Sequence, residues 1–264
     1  MPSAELRTDI PHSARIYDYV LGGKDNFEVD RVAAEKMLQG QPGLRTSMRA
    51  NRRFMVKAAQ YLAGQGIRQF LDVGTGLPTS PNLHEVVQGV APDAKIVYVD
   101  NDPLVLVHAR ALLTPVGTGT VSYLEADLRT ADAIFGAKEV ADGFDLSQPV
   151  AVTLIAVLQH VTDEKQARGI VEGIVDRLPP GSALALSAVT TDNDRTAGGQ
   201  TVNTYNTSGV PVKPRSHAEV VALFGDLELV EPGVVFVHQW HPDDEDRAAD
   251  DKDVAMYGGV AFKR

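Results

Sequence analysis

The sequence of 264 residues contains no cysteine. Without a thiol, the chain can form no disulfide, no thiolate metal site and no iron–sulfur cluster, and it has no thiol nucleophile. Any chemistry that it performs must therefore use other side chains.

Basic residues are also scarce, since 25 Lys and Arg stand against 35 Asp and Glu and the formal net charge is -10. Binding to a nucleic-acid backbone depends largely on Lys and Arg that displace counterions. We therefore expect no nucleic-acid partner, and the charge favours an uncharged or cationic small molecule as the ligand.

Long apolar runs are missing as well. No stretch is long enough to span a bilayer, and the first residues, MPSAELRTDIPHS, have neither the basic start nor the apolar run of a secretory signal. We expect a cytoplasmic protein that does not contact a membrane.

The apolar residues that are present follow two periodicities. Up to Gly64 they recur at helical spacing, and beyond it short apolar runs alternate with helical segments. Near-continuous Val, Leu, Ile and Ala in the short runs indicates strands that are buried on both faces. The predicted parallel strands are IRQFLDV, AKIVYVD, TVSYLEA, PVAVTLIAV and SALALSAV.

These patterns predict an α/β fold with a doubly wound, mostly parallel, seven-stranded Rossmann-like sheet. The last two strand candidates, LELVEPGVVFVHQW and VAMYGGVAFKR, have no long helix between them and should form an antiparallel hairpin at one edge. We expect residues 1–64 to be a helical N-terminal extension and residues 65–264 to form the sheet domain, as one compact unit. The acidic run at 243–253 is expected to be a solvated loop.

Three acids follow the first three strands, about one strand–helix unit apart. Asp72 ends the first strand, Asp100 ends the second and Asp127 follows the third. Since ligands of such sheets bind beyond the carboxyl ends of the strands, these three carboxylates should meet at one edge. Each could instead be a turn former or a helix cap, and the regular spacing carries the prediction.

The segment LDVGTGLP, residues 71–78, combines Asp72 with a glycine loop. Gly74 and Gly76 permit a sharp turn and the close approach of a ligand to the backbone. A dinucleotide places its pyrophosphate on such a loop, where Asp72 would repel it. A cationic amino-acid group, a ribose and an adenine would use all three acids, and S-adenosylmethionine has these parts.

Three motifs resemble those of class I S-adenosylmethionine-dependent methyltransferases. LDVGTGLP is similar to their first motif, VYVDNDP to the second and LEADLR to the third. The resemblance implies that Asp100 meets the ribose and Asp127 the adenine. The residues assigned to the cofactor through these motifs are Asp72, Gly74, Thr75, Gly76, Asp100, Asn101, Asp127 and Leu128.

Further segments resemble a bacterial family of S-adenosyl methyltransferase-like proteins with a helical N-terminal extension. They are SARIYDYVLGGKDNFEVDR, ANRRFMVKAAQYLA and LVEPGVV, so the likeness covers nearly the whole chain. The resemblance implies a methyltransferase-like domain and S-adenosylmethionine as the cofactor, and it implies no particular acceptor. A protein that binds the cofactor without transfer and a nicotinamide-dependent oxidoreductase are the alternatives.

Catalysis could involve His160, which follows the fourth strand and could remove a proton from an oxygen or nitrogen acceptor. A structural hydrogen bond at a helix start would explain this histidine equally well. The fourth strand lacks the Asn/Asp-Pro-Pro-aromatic signature of enzymes that methylate nucleobase amino groups, and cysteine-dependent cytosine methylation is excluded. The leading prediction is O- or N-methylation of a small molecule.

The segment around Gly22 and Gly23 is predicted to act as a lid over the cofactor, because a glycine pair ends a helix and allows close contact with a ligand. Tyr17 and Asn26 flank it and are assigned to the cofactor site. A basic stripe on the next long helix could bind the cofactor carboxylate or pair with surface acids. It consists of Arg45, Arg49, Arg52, Arg53 and Lys57.

Residues 190–216 form a long segment rich in Gly, Thr and Asn, which we expect to be a loop that walls the acceptor site. Candidates for contact with the acceptor are Tyr205, Arg215 and His217. His238, His241 and Asp243 lie close together in sequence, but no second cluster accompanies them, and we expect no metal site.

Overall fold

Three helices precede the first strand in the computed structural model, which describes residues 8–112 and 114–264. They are α1 (Ser13–Leu21), α2 (Glu28–Gly40) and α3 (Leu44–Gly64). The first seven residues of the predicted extension, and Leu113 at the end of a predicted helix, lie outside the described residues. Gly22 ends α1 in the left-handed conformation, with φ 90°.

The described strands form one sheet in the order β3-β2-β1-β4-β5-β8-β6, with β7 paired to β8. Strands β1 to β5 are parallel, and β8 runs antiparallel between β5 and the short β6. The bounds are β1 (Gln69–Val73), β2 (Lys95–Asp100), β3 (Val121–Glu125), β4 (Ala151–Ile155), β5 (Ala183–Val189), β6 (Glu228–Leu229), β7 (Val235–Phe236) and β8 (Met256–Phe262).

Helices connect the strands and cover both faces of the sheet. They are α4 (Leu83–Val90), α5 (Pro103–Leu112), α6 (Ala131–Gly136), α7 (Lys138–Ala141), α8 (Glu164–Val175), α9 (Arg195–Thr207), α10 (His217–Leu223) and α11 (Asp244–Arg247), with 3-10 turns at Leu158–His160, Val237–Gln239 and Asp251–Asp253. Among the described residues, no helix has the length and apolarity needed to cross a bilayer.

Alternation along the strands divides the core into two clusters. Leu71 and Val73 of β1 point into the cluster that includes α8, whereas Phe70 points into the cluster that includes α3 and α4. This period of two places apolar residues on both faces, and each large side chain that is fully buried stabilises the fold by about 1.5–3 kcal/mol. The predicted doubly wound, Rossmann-like fold is confirmed.

A third apolar cluster joins the N-terminal helices to one another. Ile16 and Val20 of α1 pack with Met37 of α2 and Met48 of α3, and all four side chains are at most 2% exposed. The later part of α3 instead packs into the core beneath the sheet, where Leu62 is buried. Since α3 contributes to both clusters, the division of the chain at residue 64 stays a prediction.

Two segments differ from the sequence-based expectations. Residues 190–216 contain the helix α9, whose first turn is capped by Asp194, although their Gly, Thr and Asn residues are poor helix formers. The described part of the sheet has eight strands, because the predicted strand around Pro232 is split into β6 and β7, which both pair with β8. The edge is antiparallel as predicted.

Candidate functional site

A cavity of about 350 Å³ opens at the carboxyl ends of the parallel strands. Its walls come from the loop after β1, the ends of β2, β4 and β5, the helices α1, α3 and α9, and the start of β8. The volume lies within the range of about 300–1,000 Å³ that is common for small-molecule sites. This is the edge at which sequence spacing placed the three acids.

The glycine loop forms the floor of the cavity. Gly74 and Gly76 have φ of 78° and 67°, which a residue with a side chain adopts only at a cost. The amide of Gly74 donates to the carbonyl of Val99 at 2.8 Å, and a Cβ at Gly74 would overlap the side chain of Val157. Thr75 Oγ1 donates to the carbonyl of Asp72 at 3.0 Å and closes the turn.

The carboxylate of Asp72 lies in the cavity wall and accepts a hydrogen bond from Thr153 Oγ1 at 2.5 Å. Burial raises its pKa to about 6, against the opposing effect of Thr153 and Arg52. A cation in the cavity would favour the ionised form and lower this pKa. The site therefore suits a ligand that is positively charged at this point.

Asp100 holds the other side of the loop. Its side chain accepts from the amide of Gly76 and from the amide of Asp102, both at 2.9 Å, and the residue is 8% exposed. Burial raises its pKa also. Asp100 and the adjacent Asn101 both line the cavity, as expected from the second motif.

The third motif is only partly in the wall. Leu128 lines the cavity, but Asp127 does not. The Asp127 carboxylate accepts from the backbone amide of Arg129 at 2.8 Å and pairs with its guanidinium at 3.1 Å. This geometry is that of a turn cap, and the assignment of Asp127 to the adenine stays a prediction.

Of the residues assigned to the lid, Gly22, Gly23 and Asn26 lie outside the cavity wall. Asn26 Nδ2 donates to Asp18 Oδ2 at 2.8 Å, and a Cβ at Gly23 would overlap the Asp18 carboxylate. Asp18 itself lines the cavity and is 5% exposed. The glycine pair and Asn26 thus hold Asp18, which the sequence analysis did not single out.

Tyr17 lies in the wall and joins α1 to the sheet through a chain of hydrogen bonds. Its hydroxyl donates to the carbonyl of Met48 and accepts from Asn51 Nδ2, both at 3.1 Å. Asn51 Oδ1 accepts from Ser187 Oγ at 2.7 Å, and Ser187 Oγ accepts from the amide of Ala156 at 3.0 Å. Ala156, at the end of β4, has φ 52° and lines the cavity. Such strain in a residue with a side chain concentrates at functional sites.

His160 lines the cavity at the end of the 3-10 turn after β4. Its Nδ1 is 2.9 Å from the carbonyl of Pro211, so the neutral ring donates from Nδ1 and keeps Nε2 unprotonated. Burial lowers the pKa of His160, which favours this neutral form. The structural hydrogen bond considered from sequence is therefore present, and the role of His160 as a base stays a prediction.

Arg215 does not contact the cavity, contrary to expectation. It is 1% exposed and donates to the carbonyls of Leu158 and Val161, each at 2.8 Å, and to Glu164 at 3.0 Å. Because these partners flank the turn that carries His160, Arg215 positions the histidine. His217 also lies outside the wall, with Nε2 2.8 Å from the carbonyl of Val234, whereas Tyr205 lines the cavity.

The basic stripe of α3 serves two purposes. Arg53 pairs with Asp246 at 2.7 Å and Lys57 contacts the same carboxylate, which is buried, so the acidic run at 243–253 is in part a docked segment. Arg52 instead lines the cavity and donates to the carbonyls of Thr79 and Pro81 at 2.6 and 2.7 Å. Among the described residues, no group of three acids or histidines is arranged to hold a metal ion.

A doubly wound sheet with an antiparallel edge, a glycine loop after β1 and carboxylates after β1 and β2 define a Rossmann-like enzyme fold of the kind that S-adenosylmethionine-dependent methyltransferases use. The family model described as S-adenosyl methyltransferase matches residues 1–264. This chain therefore belongs to that family and is an S-adenosylmethionine-dependent methyltransferase. The predicted family and the predicted cofactor are confirmed.

Two solved structures cover nearly the whole chain. A DUF574 family protein from Streptomyces avermitilis MA-4680 is 47% identical with a TM-score of 0.95, over 98% of this chain and 100% of that one. A candidate methyltransferase from Thermobifida fusca YX is 38% identical with a TM-score of 0.90, over 100% of this chain and 98% of that one. No curated protein matches the chain. The relatives therefore establish the fold and the family, and they name no acceptor.

Proposed function

We propose that this protein transfers the methyl group of S-adenosylmethionine to an oxygen or nitrogen atom of a small molecule that binds in the same cavity. The observation that carries this proposal is that Asp72, the Gly74–Gly76 loop and Asp100 share one cavity with His160. The first group suits the cofactor, and His160 lines the same cavity at the end of the 3-10 turn after β4, with Nε2 unprotonated.

Each side chain of the cofactor half has a role that follows from its contacts. The carboxylate of Asp72 faces the ammonium group, which would restore the charge that burial disfavours. Asp100 uses its remaining lone pairs to accept from the ribose hydroxyls while it anchors the amide of Gly76. Thr75, Asn101 and Leu128 complete the wall around the nucleoside.

Bound S-adenosylmethionine supplies a methyl group on a sulfonium, which is open to in-line attack. The chain has to hold the acceptor atom in line with the methyl group and to exclude water. Such positioning can by itself accelerate the transfer greatly. As the new bond to the methyl group forms and the bond from sulfur breaks, His160 Nε2 takes the proton of the acceptor hydroxyl or amine. Tyr17 of α1 lines the same cavity.

Calorimetry with S-adenosylmethionine, S-adenosylhomocysteine and NAD tests the cofactor half. We expect the first two to bind and NAD not to bind, because Asp72 would repel a pyrophosphate at the loop. Transfer is tested with the methyl-tritiated cofactor and a set of small phenols and amines, by extraction of labelled product. Binding of NAD alone would refute the assignment, and cofactor binding with no transfer to any acceptor class would favour a binding protein.

Replacement of His160 by alanine is expected to lower the transfer rate about 10²- to 10⁴-fold, the usual contribution of a general base. The affinity for S-adenosylhomocysteine should stay within about twofold of the original. Because the pKa of His160 lies below its usual value, the wild-type rate should fall only as the pH drops below about 6.5. The variant should lose that limb of the pH profile.

The matched control is His217→Ala, which removes a histidine outside the cavity wall and should leave the transfer rate unchanged. If His160→Ala also abolished cofactor binding, the residue would be a structural or cofactor contact. If His160→Ala had an unchanged transfer rate and pH profile, His160 would not be the general base.

A further inference from the structure

Arg52 is the one residue of the basic stripe that lines the cavity, and all five residues of the stripe are among those that the structure describes. The neighbouring Arg53 pairs with Asp246. The other guanidinium of the cavity wall, that of Arg129, pairs with Asp127 at 3.1 Å. No ion pair of the described residues includes Arg52, which is half-buried. A cation that is partly withdrawn from water is stabilised by an anion beside it, so the wall at Arg52 suits a negatively charged part of a ligand.

The guanidinium of Arg52 is held in place and still has free donors. Its Nη2 donates to the carbonyls of Thr79 and Pro81, at 2.6 and 2.7 Å, in the segment that leads from the glycine loop into α4. Nη1 and Nε donate to none of the described residues, and both keep accessible surface. These two nitrogens carry the other three of the five N–H groups of an arginine. A ligand can therefore reach donors that are already oriented.

Arg52 and Asp72 place opposite charges at the same part of the cavity. Desolvation raises the pKa of Asp72 to about 6, and Thr153 and the nearby guanidinium of Arg52 oppose this rise. The guanidinium has the same opposing effect on the pKa of Tyr17 and of Tyr98, which burial raises and which also line the cavity. Asp72 is bonded to Thr153 and Arg52 to two carbonyls, so the two charged groups stand near each other without forming an ion pair.

An α-amino acid group matches this arrangement, because it carries an ammonium and a carboxylate on one carbon atom. With the ammonium at Asp72, the carboxylate has to lie within a few ångströms of the same place. Beside Asp72 alone, that carboxylate would meet a like charge and would lose part of its hydration, and both effects are unfavourable. The free N–H groups of Arg52 replace the lost hydration with hydrogen bonds between charged groups, which are among the stronger ones.

We infer that Arg52 binds the carboxylate of the amino-acid group of S-adenosylmethionine and makes the site select this cofactor over its decarboxylated form. This inference rests on the proposed function, which places the ammonium group at Asp72. Decarboxylated S-adenosylmethionine keeps the ammonium, the sulfonium and the nucleoside, so Asp72, the glycine loop and Asp100 would accept it equally well. Arg52 therefore determines specificity at a position that the three acids leave undecided.

Titration calorimetry of the full-length protein with S-adenosylhomocysteine and with its decarboxylated analogue tests the selection. The analogue ends in a propylamine chain and differs only by the missing carboxylate. We expect the original protein to bind S-adenosylhomocysteine at least tenfold more tightly than the analogue, the usual effect of a hydrogen bond between charged groups. Equal affinities of the original protein for the two ligands would refute the inference without any variant.

Arg52→Gln assigns the preference to this side chain. It should weaken the binding of S-adenosylhomocysteine at least tenfold, and it should not weaken the binding of the analogue, whose charge near Arg52 is positive only. Because Arg52 also holds the carbonyls of Thr79 and Pro81, a disturbed loop would weaken both ligands alike. Equal weakening would therefore make Arg52 a structural residue, and unchanged binding of both ligands would leave its guanidinium to an anionic group of the acceptor. Either result would contradict the inference.

Two further variants serve as controls. Arg49→Gln removes an exposed cation of the same helix outside the cavity wall and should leave both affinities unchanged. If it also abolished the preference, the charge of the helix and not a contact would be responsible. Asp72→Asn should weaken both ligands, because both carry the ammonium group. If S-adenosylhomocysteine does not bind to the original protein, the proposed function fails, and if it binds no better than the analogue, only the assignment of Arg52 fails.

Discussion

Asp72→Asn is expected to weaken the binding of S-adenosylmethionine by about 1–3 kcal/mol, the range for losing a hydrogen bond to a charged partner. The same substitution should stabilise the protein without its cofactor. The reason is that the Asp72 carboxylate is partly withdrawn from solvent beside Thr153, and this desolvation raises its pKa from the ordinary value of 3.8 to about 6. Asparagine removes the buried charge and keeps an oxygen for Thr153.

The sign of the pH dependence follows from this shift. Between pH 4 and pH 6 the folded protein binds the proton of Asp72 more tightly than the unfolded chain does, so its free energy of unfolding falls as the pH rises. The asparagine variant has no carboxylate at this position, so its free energy of unfolding does not fall for this reason. Its advantage should be near zero at pH 3.5 and reach about 2–3 kcal/mol above pH 7, as measured by urea unfolding of the cofactor-free proteins.

The control for Asp72 is Asp132→Asn, a change in a carboxylate that is 92% exposed and pairs with Arg177 on the surface. Exposed ion pairs contribute about 0–1 kcal/mol, and this variant should bind the cofactor normally. If Asp72→Asn bound the cofactor with unchanged affinity, Asp72 would not be a cofactor contact. If the difference in free energy of unfolding between Asp72→Asn and the original protein were the same at pH 4 and pH 8, burial would not disfavour the Asp72 carboxylate.

Gly74→Ala is expected to lower the free energy of unfolding by about 2–5 kcal/mol. Alanine at φ 78° costs about 1–2 kcal/mol, and overlap of its Cβ with Val157 adds about 1–3 kcal/mol. Because Val157 belongs to the β4 end of the cavity, relief of the overlap has to displace either the loop or that wall. Cofactor affinity should therefore fall at least tenfold, measured by calorimetry on the folded fraction.

Gly76→Ala is the matched comparison, because Gly76 has a similar φ of 67° but open space around its Cβ position, with Ala14 Cβ at 3.9 Å. It should lose only the backbone contribution of about 1–2 kcal/mol. Equal losses in the two variants would show that the contact with Val157 has no effect and that the left-handed backbone alone requires glycine.

The N-terminal helices are part of the site through particular contacts. The hydrogen-bond chain from Tyr17 through Asn51 and Ser187 ends at the amide of Ala156, in the strained turn after β4. A movement of α1 would therefore alter the backbone next to the proposed acceptor. Closure of α1 over the cofactor stays a prediction, and this chain is the physical connection that it would use.

The sequence by itself determined the order and type of the main elements, because their signals are local. Short apolar runs that alternate with helical segments define the strands of the sheet. Asp72, Gly74 and Asp100 fall at strand ends whatever the packing. The absence of cysteine and the excess of acids limited the chemistry before any fold was considered. The first and second motifs accordingly lie in the cavity wall where they were expected.

Tertiary structure alone decided which side chains reach the cavity. Asp127, Asn26 and Arg215 carry suitable groups, yet their partners are Arg129, Asp18 and the turn of His160. Sequence spacing fixes which edge of the sheet a residue occupies, whereas direction, burial and hydrogen-bond partners depend on elements that are distant in the chain.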